Sequence, residues 1–300
     1  MQRGQQTASS TFYLVDVFAE QKYSGNQLVV VTNAGKITDS EMQKIANEMH
    51  FSETTFIQSD KLANDGYNVR IFTPSTEVPF AGHPTLGTAY IIGKLLSDKQ
   101  AQYVKLNLKV GQIKVTFEES QGNQEFLWMK QIQPEFNKTY SPSFFQKLLS
   151  LRLSDFELDY PIQEVSTGLP FIIVPLKTLD AVKRASVNQS LLVKVTKKKS
   201  AGIVVFSPET YKKENQLNAR VFTHAFGIPE DPATGSGNGC LAAYLSLHRY
   251  FGEPELDIRV EQGFEIKRPS ILLLKVRIEE DKMQIYVGGR VVFVAKGKLF

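Results

Sequence analysis

Two segments that lie about half the chain apart carry the same residue pattern. Arg70-Ile-Phe-Thr73 is repeated as Arg220-Val-Phe-Thr223, and both have the composition of short strands. Each is followed by a proline-bearing turn, 80–85 in the first half and 230–235 in the second, and then by a helix start rich in small residues. A repeat of this length indicates a duplicated domain, because it is too long for a solenoid unit. Two like domains bring two helix N-termini to one shared cleft, where small ligands usually bind.

The order of strand-like and helix-like segments predicts an α+β fold with two pseudo-symmetric domains. Strand-like runs outnumber helical ones, and each half is expected to wrap a strongly curved sheet or barrel around one central helix. Residues 133–142 carry turn signals and no clear periodicity, so we place the domain boundary there. The first domain then covers residues 11–132 and is completed by the C-terminal run 289–300, and the second covers 133–288.

The composition is that of a globular protein without nucleic-acid or membrane partners. Hydrophobic residues make up 42% of the 300 positions and charged residues 22%, and the net charge is only +4. The one tight basic run, Lys197-Lys-Lys199, is interpreted as a solvated loop. No apolar run reaches the ~20 residues that span a membrane. Residues 1–10 lack the apolar core of a signal peptide, and the single cysteine excludes an internal disulfide framework, so we expect a cytoplasmic protein.

Glu53 is the first candidate for chemistry. A capping box at Thr38-Asp-Ser-Glu41 predicts a helix start, and Glu53 lies where that helix ends and a strand over 54–58 begins. Its neighbours Phe51 and Phe56 are apolar, and desolvation raises the pKa of a carboxyl group, which makes it a usable proton acceptor and donor. The alternative is a glutamate that only caps nearby backbone N–H groups, and the sequence alone does not decide between the two.

Asp231 is the second candidate, in the turn Glu230-Asp-Pro-Ala-Thr-Gly-Ser236. The alternative to a functional role is an N-cap of the helix that follows. Because a proline comes next, the helix is expected to start at Ala233 or Thr234, so that capping falls to Thr234 or Ser236. The N–H groups of the first helical turn then form a site for a small anion beside an ionisable side chain.

His83 occupies the matching place in the first half, between Gly82 and Pro84. A histidine between glycine and proline has little packing to do, so a polar role is favoured. The remaining histidines show no metal-ligand spacing with it or with each other, and no metal site is expected. These are His50, His224 and His248.

Two other functions are disfavoured by the residues that follow the second turn. Gly235-Ser-Gly-Asn-Gly-Cys240 is similar to a dinucleotide-binding fingerprint, but cysteine stands where the third glycine belongs, and a turn precedes it where a strand is needed. Cys240 itself falls inside the helix beside apolar residues, which indicates a small buried residue and not a nucleophilic thiol.

A set of motifs that occur in one order makes the chain resemble the PhzF family, the phenazine-biosynthesis isomerase and its relatives. They are Asp16-Val-Phe18 with Gly25-Asn26, Ser52-Glu53-Thr54, Arg70-Ile-Phe-Thr-Pro74, Ala81-Gly-His-Pro-Thr85 and Glu230-Asp-Pro-Ala-Thr-Gly-Ser236. The resemblance covers nearly the whole chain, and the last motif is specific. It implies a fold similar to that of diaminopimelate epimerase, with two like domains and the active site in the cleft between them.

The resemblance also implies an activity and roles for individual residues. The activity is that of a cofactor-independent isomerase that moves a proton between carbons of a small unsaturated or amino carboxylic acid, without metal or cofactor. The catalytic residues would be Glu53 as the general acid/base, with His83 and Asp231. The substrate-binding residues would be Ser52, Gly82, Thr234, Gly235 and Ser236, with the two glycines offering backbone N–H groups to a carboxylate. Because relatives are commonly dimers, a homodimer is expected.

Two alternatives stay open. The chain could bind a small acid without catalysis, since a fold does not fix a function. It could also be a racemase or epimerase that uses Glu53 and Asp231 as two bases. The single cysteine argues against the two-thiol chemistry of the cofactor-independent epimerases.

Overall fold

A computed structural model of the chain describes residues 10–96, 101–120, 124–188, 190–192, 202–223 and 228–300. Residues 1–9, the Lys197-Lys-Lys199 run and His224 therefore lie outside the described residues. The α-helices that fall wholly within the described ranges are α1 (Asp39–Met49), α2 (Gly82–Ile91), α3 (Pro142–Leu149), α4 (Leu179–Arg184) and α5 (Gly235–Leu247). No helix in these ranges has the length and apolar character needed to cross a membrane.

The described residues also form eighteen strands. The first half contains β1 (Ser10–Val17), β2 (Asn26–Val31), β3 (Glu53–Ile57), β4 (Tyr67–Phe72), β5 (Glu77–Val78), β6 (Tyr103–Leu108), β7 (Gly111–Ser120) and β8 (Gln124–Lys130). The second half contains β9 (Glu135–Tyr140), β10 (Ile162–Ser166), β11 (Pro170–Pro175), β12 (Gly202–Ser207), β13 (Leu217–Thr223), β14 (Ile228–Asp231), β15 (Leu256–Gln262), β16 (Ser270–Glu279), β17 (Lys282–Gly289) and β18 (Val291–Leu299).

The strands of the first half surround α2. Strand β1 pairs with β2, β2 runs parallel to β3, and the sheet continues through β4 and β6 to β7 and β8. Helix α2 contacts six of these strands, and nine of its ten residues are buried. A helix buried all round needs small or apolar residues on every face. At Gly87 a Cβ would come within 2.9 Å of the Val17 side chain and 2.6 Å of the Leu28 side chain, so glycine lets α2 pack directly on β1 and β2.

The strands of the second half surround α5 in the same way. They run from β9 through β10 to β11, then through β12 and β13 to β15, β16 and β17. Twelve of the thirteen residues of α5 are buried. Strand β17 also pairs with β8, so the two halves share one continuous sheet. Strand β18 pairs with β1, which agrees with the expectation that residues 289–300 complete the first domain. The domain boundaries themselves stay predictions.

Local signals predict one of these elements and miss another. The capping box of α1 is confirmed, because the Glu41 amide donates to the Thr38 hydroxyl at 3.3 Å and the Thr38 amide donates to the Glu41 carboxylate at 2.9 Å. The segment 133–142, for which the sequence indicates turns, contains strand β9, paired antiparallel with β10. Strand β9 is polar and half-exposed or exposed at every position, so no apolar alternation marks it.

Ion pairs at corresponding places show the internal duplication. Arg70 on β4 donates two hydrogen bonds to the Glu77 carboxylate on β5, at 2.9 and 2.8 Å. Arg220 on β13 donates two to the Glu230 carboxylate on β14, at 2.9 and 2.7 Å. The planar guanidinium group matches a carboxylate in this two-pronged geometry. The repeated Arg-x-Phe-Thr pattern therefore forms the same hairpin contact in both halves.

The strand registers extend this correspondence to individual residues. The phenylalanine of the repeated pattern lies opposite Thr54 in the first half and opposite Ile203 in the second. The residues that precede these on β3 and β12 are Glu53 and Gly202, which therefore correspond. The neighbouring strands give two further corresponding pairs, Asn26 with Leu169 and Val78 with Asp231. In all three pairs one half carries a polar side chain and the other does not. The halves therefore share the same backbone arrangement but differ in the polar side chains that it carries.

Candidate active site

The N-termini of α2 and α5 meet between the two halves. Gly82 begins α2 and Gly235 begins α5. A Cβ built on Gly82 would lie 3.2 Å from the Cα of Gly235, and one on Gly235 would lie 3.4 Å from the Cα of Gly82. This close approach of two backbones favours residues without a side chain. Neither helix is capped by the side chain of its N-cap residue, so two positive helix ends with unsatisfied N–H groups face one space.

A pocket opens in front of these helix ends. It holds about 640 Å³ of empty space, part of it open to solvent. All the residues that the sequence and the resemblance assign to the site line it, namely Ser52, Glu53, Gly82, His83, Asp231, Thr234, Gly235 and Ser236. The sequence does not single out the rest of the wall, which is Thr73, Val78, Phe80, Ala81, Leu169, Phe171 and Thr223.

Glu53 begins β3 and lines the pocket. Its side chain is 17% exposed, but carboxyl oxygen Oε2 is buried and has no hydrogen-bond partner among the described residues. Removal from water, together with the nearby Asp231 carboxylate, raises the pKa of Glu53 to about 8. This is the direction of shift that its apolar sequence neighbours predict. Glu53 is therefore mostly protonated at pH 7, and a minor fraction is ionised.

His83 lies next to Glu53 and is also buried. Its Nε2 atom is 3.3 Å from Glu53 Oε2, yet neither atom makes a hydrogen bond within the part of the chain that the structure describes. Burial lowers the pKa of His83 to about 3, although a hydrogen bond to the Gln27 backbone acts in the opposite direction. The imidazole is therefore neutral at pH 7. Because Glu53 also holds its proton there, the two groups are not an ion pair.

Asp231 ends β14, and both of its carboxylate oxygens are bonded. Oδ1 accepts a hydrogen bond from Asn26 Nδ2 at 2.8 Å, and Oδ2 accepts one from the Thr234 hydroxyl at 2.6 Å. Burial raises the pKa of Asp231 to about 6, and these two hydrogen bonds oppose the rise. At pH 7 Asp231 is mostly ionised while Glu53 is mostly protonated. Two carboxyl groups whose pKa values are pushed apart in this way can take different roles.

Helix α5 begins at Gly235, slightly later than the sequence predicts. Thr234 occupies the N-cap position, but its hydroxyl donates to Asp231 and does not cap the helix. The prediction that capping falls to Thr234 or Ser236 is therefore wrong, and so is the alternative that Asp231 is the N-cap. Because the ordinary capping group is engaged elsewhere, the first turn of α5 keeps amide N–H groups for a ligand.

Asn26 is a buried residue that sequence reasoning does not assign to the site. Its Nδ2 atom donates to Asp231 Oδ1 and, at 3.0 Å, to the carbonyl oxygen of Ala233, and it lies 3.2 Å from His83 Nδ1. Asn26 belongs to the first half and Asp231 to the second, so this side chain joins the halves at the pocket. Its one sequence signal is its place in the Gly25-Asn26 motif of the family resemblance.

Gln262 at the end of β15 is the second residue that sequence reasoning misses. Its Nε2 atom donates to the backbone carbonyl of Asp231 at 2.7 Å, and its Oε1 atom accepts from the Thr234 amide at 3.2 Å. Oε1 also accepts from Asn238 Nδ2 at 2.8 Å. Gln262 therefore fixes the turn between β14 and α5. No motif or periodicity marks it.

Cys240 is fully buried inside α5. Burial raises the pKa of its thiol to about 11, although contacts with Thr167 and with the Phe171 backbone oppose the rise. A thiol with so high a pKa is a poor nucleophile at pH 7. The interpretation of Cys240 as a small buried residue is confirmed.

Comparison with known sequences identifies relatives along nearly the whole chain. The family model of phenazine biosynthesis-like proteins (PhzC-PhzF) matches residues 15–297. An uncharacterised isomerase of Clostridium acetobutylicum is 33% identical over 96% of this chain and 97% of its own length. The trans-2,3-dihydro-3-hydroxyanthranilate isomerase of Pseudomonas fluorescens is 31% identical over 96% of this chain and 98% of its own length.

Solved structures share the fold described above. A PhzF-family phenazine biosynthesis protein of Bacillus anthracis superposes with a TM-score of 0.89 at 27% identity, over 98% of this chain and 100% of that chain. A hydroxyproline epimerase from Agrobacterium vitis, only 9% identical, shares the fold with a TM-score of 0.64 over 98% of this chain and 91% of that chain. The predicted epimerase-like α+β fold is confirmed. The chain belongs to the PhzF family of phenazine biosynthesis-like proteins, and it is an isomerase.

Proposed function

We propose that this isomerase needs no cofactor and moves a proton between carbons of a small unsaturated or amino carboxylic acid, with Glu53 as the general acid/base. The observation that carries this proposal is the Glu53 carboxyl group, which lines the pocket with one buried oxygen that no described residue bonds. Its pKa of about 8 lies close to neutrality. A carboxyl group of this kind both accepts a proton and returns it.

The proposed reaction has two proton transfers at one carboxyl group. The ionised Glu53 takes a proton from one carbon of the acid, and the electron pair left behind spreads into the adjoining double bond and carboxylate. Protonated Glu53 then returns the proton to a different carbon. The double bond moves, the Glu53 carboxylate is restored, and no further reactant is consumed.

The rest of the pocket supplies groups for binding and charge stabilisation. In the proposed complex the first-turn amides of α2 and α5, at Gly82 and Gly235, and the hydroxyls of Ser52 and Ser236 bind the substrate carboxylate and the charge that spreads onto it. These donors are fixed by the fold before the substrate arrives. The ionised Asp231 keeps lone pairs beyond its two hydrogen bonds and accepts from an amino or hydroxyl group of the substrate.

The pocket and one relative support a proposal for the substrate class. The substrate in the name of the Pseudomonas fluorescens enzyme, trans-2,3-dihydro-3-hydroxyanthranilate, is a small unsaturated amino carboxylic acid. The pocket lies at the N-termini of α2 and α5, and helix N-termini bind anions such as a carboxylate. We therefore propose that the substrate is a small acid with a removable proton next to a conjugated system.

A racemase with Glu53 and Asp231 as two bases is less well supported. Both oxygens of Asp231 are bonded to groups of the protein, whereas Glu53 has one that is not. A second base needs an oxygen directed at the substrate carbon. This arrangement favours one proton shuttle and one positioning anion.

The experiment that tests the proposal is solvent deuterium uptake. The wild-type protein is incubated in D₂O with trans-2,3-dihydro-3-hydroxyanthranilate and, separately, with trans-2-octenoate, and deuterium at carbon is followed by NMR. We expect Glu53→Gln to lower uptake at least ~100-fold, the usual weight of general acid/base catalysis. Glu48→Gln, on an exposed face of α1, is the matched control. Uptake that survives Glu53→Gln would contradict the shuttle, and binding without uptake by the wild type would favour the catalytically silent alternative.

A further inference from the structure

An apolar groove adjoins the pocket, and the chemistry proposed above does not use it. It holds about 800 Å³ of empty space, part of it open to solvent. Val78, Phe80 and Leu169 line both the groove and the pocket. The groove therefore continues directly from the space that holds Glu53, and a ligand bound in the pocket can extend into it.

The internal duplication shows how the two sides of the pocket differ. Asp231 lines the pocket as a polar group and accepts a 2.8 Å hydrogen bond from Asn26. The residues that correspond to them in the opposite halves are Leu169 and Val78. The matching wall is therefore hydrocarbon, and it is the wall that the pocket shares with the groove. A substrate bound here has polar groups on one side and an apolar exit on the other.

The outer rim of the groove exposes large apolar side chains. Ile132 is 61% exposed and Val110 is 54% exposed. Exposed apolar side chains grouped around a cavity mark a surface that binds something apolar. Of the described residues that line the groove, only Lys130 carries a charge, and it is exposed.

The two buried polar side chains of the groove are already engaged with the protein. Gln131 Nε2 donates to the carbonyl oxygen of Met129 at 3.3 Å, and Thr167 Oγ1 lies 3.6 Å from Cys240 Sγ. The groove thus attracts hydrocarbon and has little to offer a polar group. In the pocket beside it, by contrast, Glu53 and His83 each keep an atom that no described residue bonds.

We propose that the acid bound beside Glu53 carries an apolar substituent that lies in this groove between Leu169 and Ile132. The inference rests on the proposed function, because it narrows the class of acid that the same site takes. The substituent is a hydrocarbon chain or ring attached on the side of the acid that faces Val78 and Leu169, away from Asp231.

The experiment measures dissociation constants for a series of straight-chain probes, trans-2-butenoate, trans-2-hexenoate and trans-2-octenoate, by isothermal titration calorimetry. Competition against trans-2-butenoate shows that the longer acids use the same carboxylate site. We expect affinity to rise roughly three- to fourfold for each methylene that enters the groove. An affinity that does not depend on chain length would overturn the proposal.

Two variants locate the hydrocarbon chain. Ile132→Ser should weaken trans-2-octenoate about threefold or more and leave trans-2-butenoate unchanged, because Ile132 lines the groove and not the pocket. Leu158→Ser, which replaces a residue of similar exposure (55%) that does not line the groove, should change neither acid. If the two variants had the same effect on trans-2-octenoate, the chain would lie elsewhere and the proposal would be wrong.

Further outcomes separate this proposal from others. If a second copy of the chain occupied the groove, Ile132→Ser would change the sedimentation coefficient and probe affinity would not depend on chain length. That result would overturn the proposal.

Glu53→Gln should keep the chain-length dependence and lose deuterium uptake. Loss of chain-length dependence with normal wild-type uptake would remove the groove proposal alone. Full uptake in Glu53→Gln with a normal chain-length dependence would remove only the acid/base assignment.

Discussion

Glu53 Oε2 and His83 Nε2 lie 3.3 Å apart, and no hydrogen bond joins them. Burial keeps the proton on Glu53 up to about pH 8 and keeps the imidazole of His83 uncharged down to about pH 3. Over the range between these values both groups are neutral. A buried polar atom without a hydrogen bond costs ~1–3 kcal/mol of stability. Two such atoms side by side in a pocket indicate a binding site, because a ligand can supply the missing hydrogen bonds.

The imidazole of His83 is expected to stay neutral from pH 8 down to about pH 4. Burial disfavours its charged form, and the protonated Glu53 beside it offers no negative charge to offset that cost. The measurement is an NMR titration of the ring nitrogens of His83. A midpoint between pH 6 and 7 would contradict the lowered pKa of His83.

The pH dependence of turnover should report on Glu53. In the proposed reaction the ionised carboxylate takes the proton from carbon, so kcat/KM should rise with pH and level off above about pH 8. Initial rates between pH 5.5 and 9.5 give this profile, and Glu48→Gln should reproduce it. Activity that falls between pH 6 and 8 would mean that protonated Glu53 acts first on the substrate.

Glu53→Gln should stabilise the protein at high pH. The unfolded chain ionises this carboxyl near its ordinary value, whereas the folded chain holds the proton to about pH 8, so folded wild-type protein loses stability as pH rises from about 5 to 8. Glutamine has no proton to lose. The free energy of unfolding of the variant, relative to wild type, should therefore grow by ~2 kcal/mol or more between pH 5 and 9. Urea denaturation at several pH values measures this, and a difference that stays constant would contradict the raised pKa.

Asn26→Ala should destabilise the junction between the halves. It removes the donor to the buried Asp231 carboxylate and to the Ala233 carbonyl, and a lost hydrogen bond to a charged group costs ~2 kcal/mol or more. The pKa of Asp231 should rise further, because the bond from Asn26 now holds it down. Asn137→Ala, at an exposed position of β9, serves as the control. Urea denaturation at pH 8 checks the first effect, and equal unfolding free energies for the two variants would contradict it.

The two corresponding arginines should differ in their contribution to stability. Arg220 is 11% exposed, and its partner Glu230 is 10% exposed, whereas Arg70 is 23% exposed and also contacts the exposed Asp39. Arg220 further donates to the carbonyl oxygens of Val182, Lys183 and Ala185. We expect Arg220→Ala to cost ~3–5 kcal/mol and Arg70→Ala ~1–2 kcal/mol. Thermal and urea denaturation of both variants measure the difference, and equal costs would contradict the burial argument.

The duplicated fold and the pocket residues can be predicted from the sequence because they depend on local chemistry. The pattern around Arg70 and Arg220 encodes a strand, a turn and a helix start in each half, and the glycines that follow permit the close approach of two helices. The direction of the pKa shift at Glu53 is predicted correctly, but the burial that causes it has another source. Phe51 and Phe56 belong to the apolar cluster beside α1, whereas Glu53 lines the pocket and is buried there. Periodicity and turn chemistry act over a few residues, which is the range that a single sequence reveals.

The hydrogen bonds behind the site could not be predicted. Asn26 reaches Asp231 over 205 positions of the chain, and Gln262 reaches the same residue over 31. A hydrogen bond between distant segments has no period, and its donor looks like any other amide in the sequence. The sequence places the start of α5 too early for the same reason. Thr234 is a residue type that often caps helices, but its hydroxyl donates to the Asp231 carboxylate, and a sequence pattern does not show this hydrogen bond.

Glu53 corresponds to Gly202 in the other half, where a Cβ would lie 2.5 Å from the carbonyl oxygen of Phe222. No side chain fits at that position without backbone movement, so the second half has no room for a matching carboxylate. Twofold repetition of the frame therefore places one such carboxyl group in the shared cleft, where strict symmetry would place two. The cleft is chemically asymmetric, and the proposed proton shuttle at Glu53 acts on a ligand from one side only.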